Sequence, residues 1–194
     1  MVWVENGDLW TNNERGFIVR SEQELNRAIE QYSNTVRRLC MIHLKNYYDT
    51  EDIFQTVFLK YVLNSVEFEN DEHEKAWFIR VTINACKDLI KSFFRSKTVP
   101  LDEILTYSEN ISDDKKEVLE AVLSLPLKYK NVVYLHYYEG YTAPEISKIL
   151  NKNVNAVYTL LKRSKEMLKN NLGGEFYEWK NKKCFWWNIC WKWT

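Results

Sequence analysis

The stretch YTAPEISKILNKNVNAVYTLLKRSKEML, residues 141–168, predicts two short helices joined by a tight turn. Thr142 and Glu145 have the spacing of a capping box, and Pro144 falls in the first turn, where its missing N–H costs little. A polar break follows at residues 151–153, and Asn153 is the predicted N-cap of the second helix. The pattern is typical of a helix-turn-helix.

The apolar residues of this stretch fall on one face of each predicted helix. The first helix turns Ile146, Ile149 and Leu150 inward, and the second turns Val154, Val157, Leu160, Leu161 and Leu168 inward. Cationic residues occupy the outer face of the second helix: Lys162, Arg163, Lys165 and Lys169. A basic second helix favours a recognition helix in the major groove of DNA. A plain αα-hairpin uses the same apolar spacing and stays open as an alternative.

The composition favours packed helices over a turn-rich β fold. The chain has 194 residues with only 5 Gly and 3 Pro, against 45% hydrophobic and 15% aromatic residues. No stretch approaches the apolar length of a membrane-spanning helix, and the polar start MVWVENGDLW does not resemble a signal peptide. The sequence therefore predicts a cytoplasmic, all-α protein.

The cysteines predict neither a metal site nor a disulfide framework. Cys40 and Cys86 fall on the apolar faces of predicted helices and are expected to be reduced core residues. Cys184 and Cys190 lack zinc-ligand spacing, and a Cys40–His43 pair lacks two further ligands. No cofactor is expected.

Charge divides the chain into an acidic part and a basic part. Residues 1–114 hold 13 Lys and Arg against 20 Asp and Glu, whereas residues 115–171 hold 10 against 5. Such asymmetry suggests two modules with different partners. The basic module favours phosphate, and the acidic one suits a basic protein surface.

Helical periodicity predicts two helical domains and a linker. Residues 1–20 form a leader, 21–95 a first domain, 96–112 the linker, 113–172 a second domain and 173–194 a tail. The predicted helices run from Ser21 to Asn46, from Asp49 or Thr50 through Val62, from about Glu74 to Phe94, from about Asp114 to Ser124, and from Pro126 to Glu139-Gly140, where the glycine is a stop signal. The first helix opens with a Ser21–Glu24 capping box. The predicted inward residues are Leu25, Ala28, Ile29, Tyr32, Val36 and Leu39 on the first helix and Ile53, Val57, Phe58, Tyr61 and Val62 on the second.

Three motifs in order resemble one family. DTEDIFQTVFLKY (49–61), AWFIRVTINACKDLIKS (76–92) and LPLKYKNVVYLHYYEGYTAPEISKILN (125–151) have the order and spacing of the extracytoplasmic-function (ECF) sigma factors of bacterial RNA polymerase. These proteins keep only the region-two and region-four domains of larger sigma factors, joined by a flexible linker. The resemblance implies two small helical domains that bind core polymerase, at its clamp and flap regions, and promoter DNA. Many members are also held by an anti-sigma factor.

In the first motif, the resemblance matches Asp52 with an acidic residue that docks on the polymerase clamp, with Glu51 and Gln55 beside it. An exposed carboxylate among apolar residues suits a Lys or Arg across an interface. A carboxylate in the first turn of a helix also stabilises the helix dipole, and the two roles are compatible.

In the second motif, the resemblance matches the third helix with the part that meets melted minus-ten DNA. Asn84 presents both a donor and an acceptor to the edge of an extruded base. Cations at helical intervals suit a face that tracks the phosphate backbone: Arg80, Lys87, Lys91 and Arg95. Trp77 and Phe78 are expected to pack in the core rather than stack on bases.

The recognition helix departs from the family pattern, because Tyr158, Thr159 and Leu160 follow Val157 where Lys, Ser and Arg are usual, so two of the usual cations are lost. Minus-thirty-five contact is expected, but the sequence preference cannot be carried over. Tyr158 and Thr159 are the candidates for base edges. Lys162, Arg163 and Lys165 are the candidates for phosphates.

The two end segments, residues 1–20 and 173–194, lie outside the predicted domains. The leader has no family counterpart and fits a disordered segment. The Trp-rich tail fits a membrane interface, a partner's groove or a poorly ordered extension.

Two other functions are alternatives to a sigma factor: a stand-alone helix-turn-helix regulator and a purely protein-binding helical module. An enzyme is not expected, because the sequence has no Gly-rich phosphate loop, no HExxH motif and no His constellation.

Overall fold

The computed structural model describes residues 20–63, 66–96 and 113–172, with side chains for 20–63, 66–92 and 118–172. This part of the chain is helical and contains no strand. Its helices are α1 (Glu22–Leu44), α2 (Tyr47–Val62), α3 (Asp71–Ser96), α4 (Asp113–Ser124), α5 (Leu127–Val133), α6 (Ala143–Leu150) and α7 (Val154–Leu172). They fall into two compact units, α1–α3 and α4–α7. The predicted leader, linker and tail lie almost wholly outside the described residues.

Local capping sets the helix starts in the first unit. The predicted Ser21–Glu24 capping box is present at the start of α1. The side chain of Asn46 accepts from the N–H of Asp49 at 3.2 Å, so α2 begins at Tyr47 rather than at Asp49 or Thr50. The side chain of Asn70 accepts from the N–H of His73 at 2.8 Å, so α3 begins at Asp71 rather than Glu74. The predictions missed both starts because Asn caps carry no apolar signal.

The first unit packs around Phe78, which is fully buried on α3. The Phe78 ring lies 4.7 Å from the ring of Tyr32 on α1, and 4.9 Å from Tyr61 and 5.2 Å from Phe58 on α2. The inward residues predicted for these helices include Val36, which is also fully buried. The prediction of Phe78 as a core residue is confirmed.

A buried carboxylate joins all three helices of this unit. Glu74 is 3% exposed and accepts two hydrogen bonds from the Arg27 guanidinium, each 2.8 Å long. The hydroxyls of Tyr32 and Tyr61 also donate to it, at 3.0 and 2.6 Å. Burial alone would raise the pKa of Glu74, but these hydrogen bonds outweigh burial and lower that pKa below its ordinary value. The start of α3 is thereby fixed against α1 and α2.

The second unit has an apolar core shared by α4, α5 and α7. Its buried residues include Val122 on α4, Val133 on α5, and Leu168 and Leu172 on α7. On α7 the buried residues recur at helical spacing, so that helix buries one stripe. On α5 the consecutive residues 129–133 are all buried, so this short helix is enclosed on every side. The core holds α7, the second helix of the predicted helix-turn-helix, against the rest of the unit.

One predicted helix is not a continuous α-helix. The segment from Pro126 to Gly140 forms α5 and then a π-helical turn, Tyr134–Tyr138. The wider turn accommodates stacked rings of Tyr134 and Tyr138, 4.9 Å apart, and the Tyr134 hydroxyl donates to Glu139 at 2.5 Å. The predicted helix is thus confirmed over this span, and its last turn is wider than an α-helical turn, a difference that apolar periodicity does not distinguish. The glycine stop signal is confirmed, because Gly140 has φ +80°.

The helix-turn-helix is confirmed as α6, a tight turn and α7. Both the N–H and the hydroxyl of Thr142 donate to Glu145 at 2.7 Å, which completes the predicted capping box. In the turn, Asn151 takes a left-handed conformation with φ 49°, and the N–H of Lys152 donates to the carbonyl of Ser147 at 2.9 Å. Asn residues tolerate this conformation better than most. The side chain of Asn153 then accepts from the N–H of Asn155 at 2.8 Å, as its predicted N-cap role requires.

Candidate functional site

The outer face of α2 exposes acidic, polar and apolar side chains together. Asp52 and Gln55 are exposed, as their predicted contact with a partner requires. Tyr48, which is 77% exposed, and Leu59, which is 59% exposed, lie on the same side of the helix. At 100° per residue, these positions span about 60° of the helix circumference. Leu63, just past the end of α2, extends the exposed apolar surface.

Sequence reasoning missed Tyr48, Leu59 and Leu63. The sequence prediction for α2 rested on the apolar residues that recur at helical spacing on its buried side. The missed residues are out of phase with that side, and this mismatch is the signal that identifies them. Large apolar side chains that stay exposed along one stripe mark a surface suited to a protein partner. We refer to Tyr48, Asp52, Gln55, Leu59 and Leu63 as the α2 face.

Glu51 lies beside the α2 face but has an internal partner. Its carboxylate oxygens lie 3.0 and 3.4 Å from two nitrogens of the Arg37 guanidinium on α1. The same guanidinium lies over the ring of Phe54, 4.0 Å from its centroid. Glu51 is thus only partly exposed and joins α2 to α1. The structure therefore places Glu51 in a different setting from Asp52 and Gln55.

The carboxylate of Asp49 adds to the negative charge at the start of α2. Burial and then the charge of Asp52 raise the pKa of Asp49 above its ordinary value. Two like charges in this proximity repel one another, and a cation from a partner would relieve that repulsion. The start of α2 therefore carries two neighbouring carboxylates, Asp49 and Asp52.

The outer face of α3 carries Arg80 and Asn84, both exposed. The exposure of Asn84 leaves its amide free of the partners that a buried amide would need. Its donor and acceptor face solvent one helical turn after Arg80. The arrangement fits contact with a polar ligand.

The remaining cations of α3 are less uniform than the sequence pattern suggests. Lys91 is exposed, and its ammonium group lies 3.2 Å from the carboxylate of Asp88. Lys87 is only partly exposed. The backbone of Arg95 belongs to α3, but its side chain lies outside the described residues. Exposed ion pairs of this kind exchange readily with solvent, so Lys91 remains available to a phosphate.

Trp77 is partly buried in an aromatic cluster, as expected for a packing residue. Its ring lies 5.1 Å from Phe78, 5.8 Å from Phe68 and 5.9 Å from Tyr61, in edge-on contacts. Arg20 covers the other side of the cluster, with its guanidinium carbon 4.6 Å from the centroid of the Tyr61 ring. These contacts hold the first turns of α3 in place and leave the Trp77 ring little freedom to stack elsewhere.

The start of α7 presents Tyr158 and Thr159 to solvent. Tyr158 is 56% exposed, which is unusual for so large a ring. The Thr159 hydroxyl donates to the carbonyl of Asn155 at 2.9 Å and keeps its lone pairs for other donors. Lys162, Arg163 and Lys165 are all exposed further along the helix.

Two further residues of α7 share this surface and were not among the predicted contacts. Asn155 is exposed one turn before Thr159, and an Asn at the start of a recognition helix can pair with an adenine edge. Glu166 is exposed one turn after Lys162 and would repel a phosphate there. Both residues could have been identified from the sequence, because Asn155 is four residues before Thr159 and Glu166 is four residues after Lys162, on the same side of the helix. The exposed polar and basic candidates thus lie along residues 155–165 of α7, with Glu166 just beyond them.

Models of two known families match the chain. The model described as sigma-70 region 2 matches residues 28–95, and that described as sigma-70, region 4 matches residues 115–168. The first range covers most of α1–α3, and the second covers most of α4–α7. The two matched ranges coincide with the two structural units and contain all of the candidate residues above.

Curated proteins are similar to this chain over most of its length. ECF RNA polymerase sigma factor SigW of Bacillus subtilis is 25% identical over 161 residues, which cover 74% of this chain and 86% of that protein. RNA polymerase sigma factor SigV of Bacillus subtilis is 29% identical over 151 residues, which cover 76% and 90%. The similarity therefore extends across both units in each relative.

Solved structures share the fold at low sequence identity. The sigma factor RpoE of Bartonella quintana, in complex with the anti-sigma factor NepR, superposes with a TM-score of 0.66 at 14% identity. That superposition covers 79% of this chain and 99% of the other. CnrH in complex with the cytosolic domain of CnrY gives a TM-score of 0.56 at 16% identity, with 78% and 89% covered.

Proposed function

This chain belongs to the ECF RNA polymerase sigma factors, and on that premise we propose that it binds core RNA polymerase and directs it to promoters. The observation that carries the proposal is the combination of two units with different surfaces. One unit presents an acidic and apolar helix face, and the other presents a capped helix-turn-helix with a basic second helix. Sigma factors act in transcription initiation through binding, and no catalysis of its own is proposed for this chain.

The α2 face is the proposed contact with core polymerase. Asp52 would pair with a cation, while Tyr48 and Leu59 would cover apolar surface around that pair. A charge pair enclosed by apolar contacts is strengthened because water is excluded. Gln55 is the neutral polar neighbour on the same stripe. Glu51 would contribute indirectly, by holding α2 against α1 through Arg37.

The outer face of α3 is the proposed contact with melted DNA of the minus-ten element. Asn84 would read one extruded base, and Arg80 would bind the backbone beside it. The Glu74 network and the Trp77 cluster support the proposal because they fix the helix that carries Asn84. A rigid reading helix lowers the entropy cost of binding a single strand.

The part of α7 from residue 155 to residue 165 is the proposed contact with duplex DNA of the minus-thirty-five element. Tyr158 and Thr159 would meet base edges, and Lys162, Arg163 and Lys165 would meet phosphates. Asn155 joins the base-reading candidates because it lies one turn before Thr159. The remainder of this unit would contact the polymerase flap, as in the family.

The alternative of a stand-alone helix-turn-helix regulator is not favoured. Such a protein needs the α4–α7 unit but gives no reason for an exposed apolar and acidic α2 face. An anti-sigma factor is a further proposed partner, since the structural relative RpoE was solved in complex with the anti-sigma factor NepR. Because core polymerase and promoters are its proposed partners, we infer that the protein acts in the cytoplasm.

Reconstituted transcription tests the proposal directly. The full chain would be added to sigma-free core polymerase on fragments of the source genome, and the 5′ ends of the transcripts would be mapped. We expect defined start sites that share two upstream elements and that disappear when the chain is omitted. Sequence-specific DNA binding without any specific initiation would instead identify a stand-alone regulator.

A further inference from the structure

Two buried thiols meet between α1 and α3. The Sγ atoms of Cys40 and Cys86 lie 3.8 Å apart, and both cysteines are fully buried and unbridged. They are separated by 46 positions in the sequence, so the contact exists only because the two helices pack together. As expected from the sequence, both act as reduced core residues in this state.

The two sulfurs are in van der Waals contact but are not bonded. An S–S bond is about 2.05 Å long, so the atoms must approach by roughly 1.8 Å. Bond formation therefore requires a rotation of a cysteine side chain or a small shift of a helix. We propose that Cys40 and Cys86 are a redox modification site, at which a peroxide converts the pair into a reversible disulfide that ties α1 to α3.

The reaction balances without any further reagent. A thiolate of the pair attacks the O–O bond of hydrogen peroxide, which forms a sulfenic acid and releases hydroxide. The second sulfur then displaces the sulfenic hydroxyl group, forms the S–S bond and loses its proton. Two thiols thus lose two electrons and two protons, and the peroxide becomes two molecules of water. A dithiol reductant reverses the change by exchange.

The environment of the two thiols makes their oxidation by peroxide slow. A hydrogen bond from Cys86, together with burial, raises the pKa of the Cys40 thiol above its ordinary value. Only thiolates react, so oxidation should accelerate as the pH rises. Peroxide also reaches the sulfurs only when the helices separate transiently.

The disulfide would change the stability of the unit without covering its outer surfaces. Cys86 lies two residues after Asn84, which places it about 200° around α3 and therefore on the opposite side. A disulfide between residues 46 positions apart restricts the unfolded chain and thereby stabilises the folded state. Stability of the α1–α3 unit would then depend on the thiol–disulfide balance of its surroundings. This chemistry is independent of the proposed function.

The test uses the full chain with Cys184→Ser and Cys190→Ser, so that only the buried pair remains. The protein would be incubated with hydrogen peroxide, alkylated and digested without reduction for mass spectrometry. We expect a peptide linked through Cys40 and Cys86, and a rise of at least about 5 °C in the unfolding midpoint of this unit. Dithiothreitol should reverse both changes.

The matched control adds Cys86→Ala to the same background, which leaves Cys40 as the remaining thiol. This variant should show no rise in its unfolding midpoint after peroxide treatment, whatever its starting stability. The proposal is overturned if both thiols survive a treatment that fully oxidises glutathione. It is also overturned if the thiols are lost as sulfinic acids or as intermolecular dimers without the linked peptide.

Discussion

In the α1–α3 unit a buried carboxylate joins three helices, whereas in the α4–α7 unit apolar side chains carry much of the contact between helices. Glu74 accepts hydrogen bonds from Arg27, Tyr32 and Tyr61, which lie 13 to 47 positions away in the sequence. In the second unit, polar contacts such as Thr142 with Glu145 are local caps, and Asn171 on α7 donates to Ser124 on α4 at 3.3 Å. Both units have an apolar core, and the first adds to its core a buried carboxylate with long-range partners.

The exposed surfaces of the two units also differ in composition. The first unit exposes a mixed stripe on α2, in which Tyr48 and Leu59 flank Asp52, and a polar stripe on α3 that contains Asn84. The second exposes a polar and basic stripe on α7. Apolar groups beside a carboxylate suit a protein partner, and separated cations suit a DNA backbone. Each unit thus carries its candidate contact residues on exposed helix faces that the rest of the unit holds in place.

The largest expected effect comes from removing the buried carboxylate. Glu74→Ala should destabilise the α1–α3 unit by about 2–4 kcal/mol, because two tyrosine hydroxyls and Arg27 lose their acceptor. The loss is moderated because Arg27 is about half exposed, at 47%, and water can replace part of its partner. Chemical denaturation of the full chain would measure the change. Glu30→Ala, an exposed carboxylate on α1, is the control and should change stability little.

The same carboxylate predicts a pH dependence. The pKa of Glu74 is lower in the folded protein than its ordinary value of 4.5. Ionised Glu74 therefore contributes its full stabilisation of the folded state when the pH is above 4.5. That stabilisation is lost as the pH falls through the lowered pKa. The difference in unfolding free energy between wild type and Glu74→Gln should therefore shrink below about pH 4.5. A difference that stays constant down to acidic pH would show that Glu74 does not act as a charged acceptor.

The next effect concerns the α2 face. Asp52→Ala should weaken binding to core polymerase about tenfold or more, as expected for the loss of a charge-assisted pair at an interface. Leu59→Ala should weaken it by a similar factor, because the apolar rim excludes water from the pair. Titration of labelled protein with core enzyme gives both affinities, and Glu30→Ala again serves as the control. Wild-type affinity in both variants would remove the α2 face from the interface.

Asn84 tests the polar stripe on α3. Asn84→Ala should reduce open-complex formation by about 1–3 kcal/mol while core binding and stability stay unchanged. Discrimination should be lost at a single promoter position, where the variant would tolerate a base change that impairs wild type. Permanganate footprinting across a promoter series measures this, with Asn26→Ala on α1 as the same substitution elsewhere. A uniform loss at every position would return Asn84 to a structural role.

The smallest expected effects distinguish two kinds of contact on α7. Lys162→Ala should weaken upstream binding about equally for all sequences and reduce the slope of log affinity against log salt by about 1. Tyr158→Ala should leave that slope unchanged and alter which sequence is preferred. Each variant is the control for the other in the same binding assay. If both change only the salt slope, Tyr158 does not contact bases.

Local features could be predicted from the sequence because they depend on near neighbours. The capping boxes at Ser21 and Thr142, the break at residues 151–153 and the buried stripes of α1, α2 and α7 all follow from spacing within a few residues. The helix-turn-helix and the resemblance to sigma factors depend on the same local patterns. The candidate residues Asp52, Asn84 and Tyr158 also proved exposed, as a contact with a partner requires.

Contacts between helices were decided only by the tertiary structure. In the sequence Glu74 is an ordinary carboxylate near a helix start, and packing alone surrounds it with Arg27, Tyr32 and Tyr61. Packing also turns Glu51 toward Arg37 and brings Cys40 beside Cys86. A helical pattern states which side of a helix is buried but not which residue of another helix it meets. That choice depends on how three helices fit together, so the sequence determined the elements and the packed fold determined their polar partners.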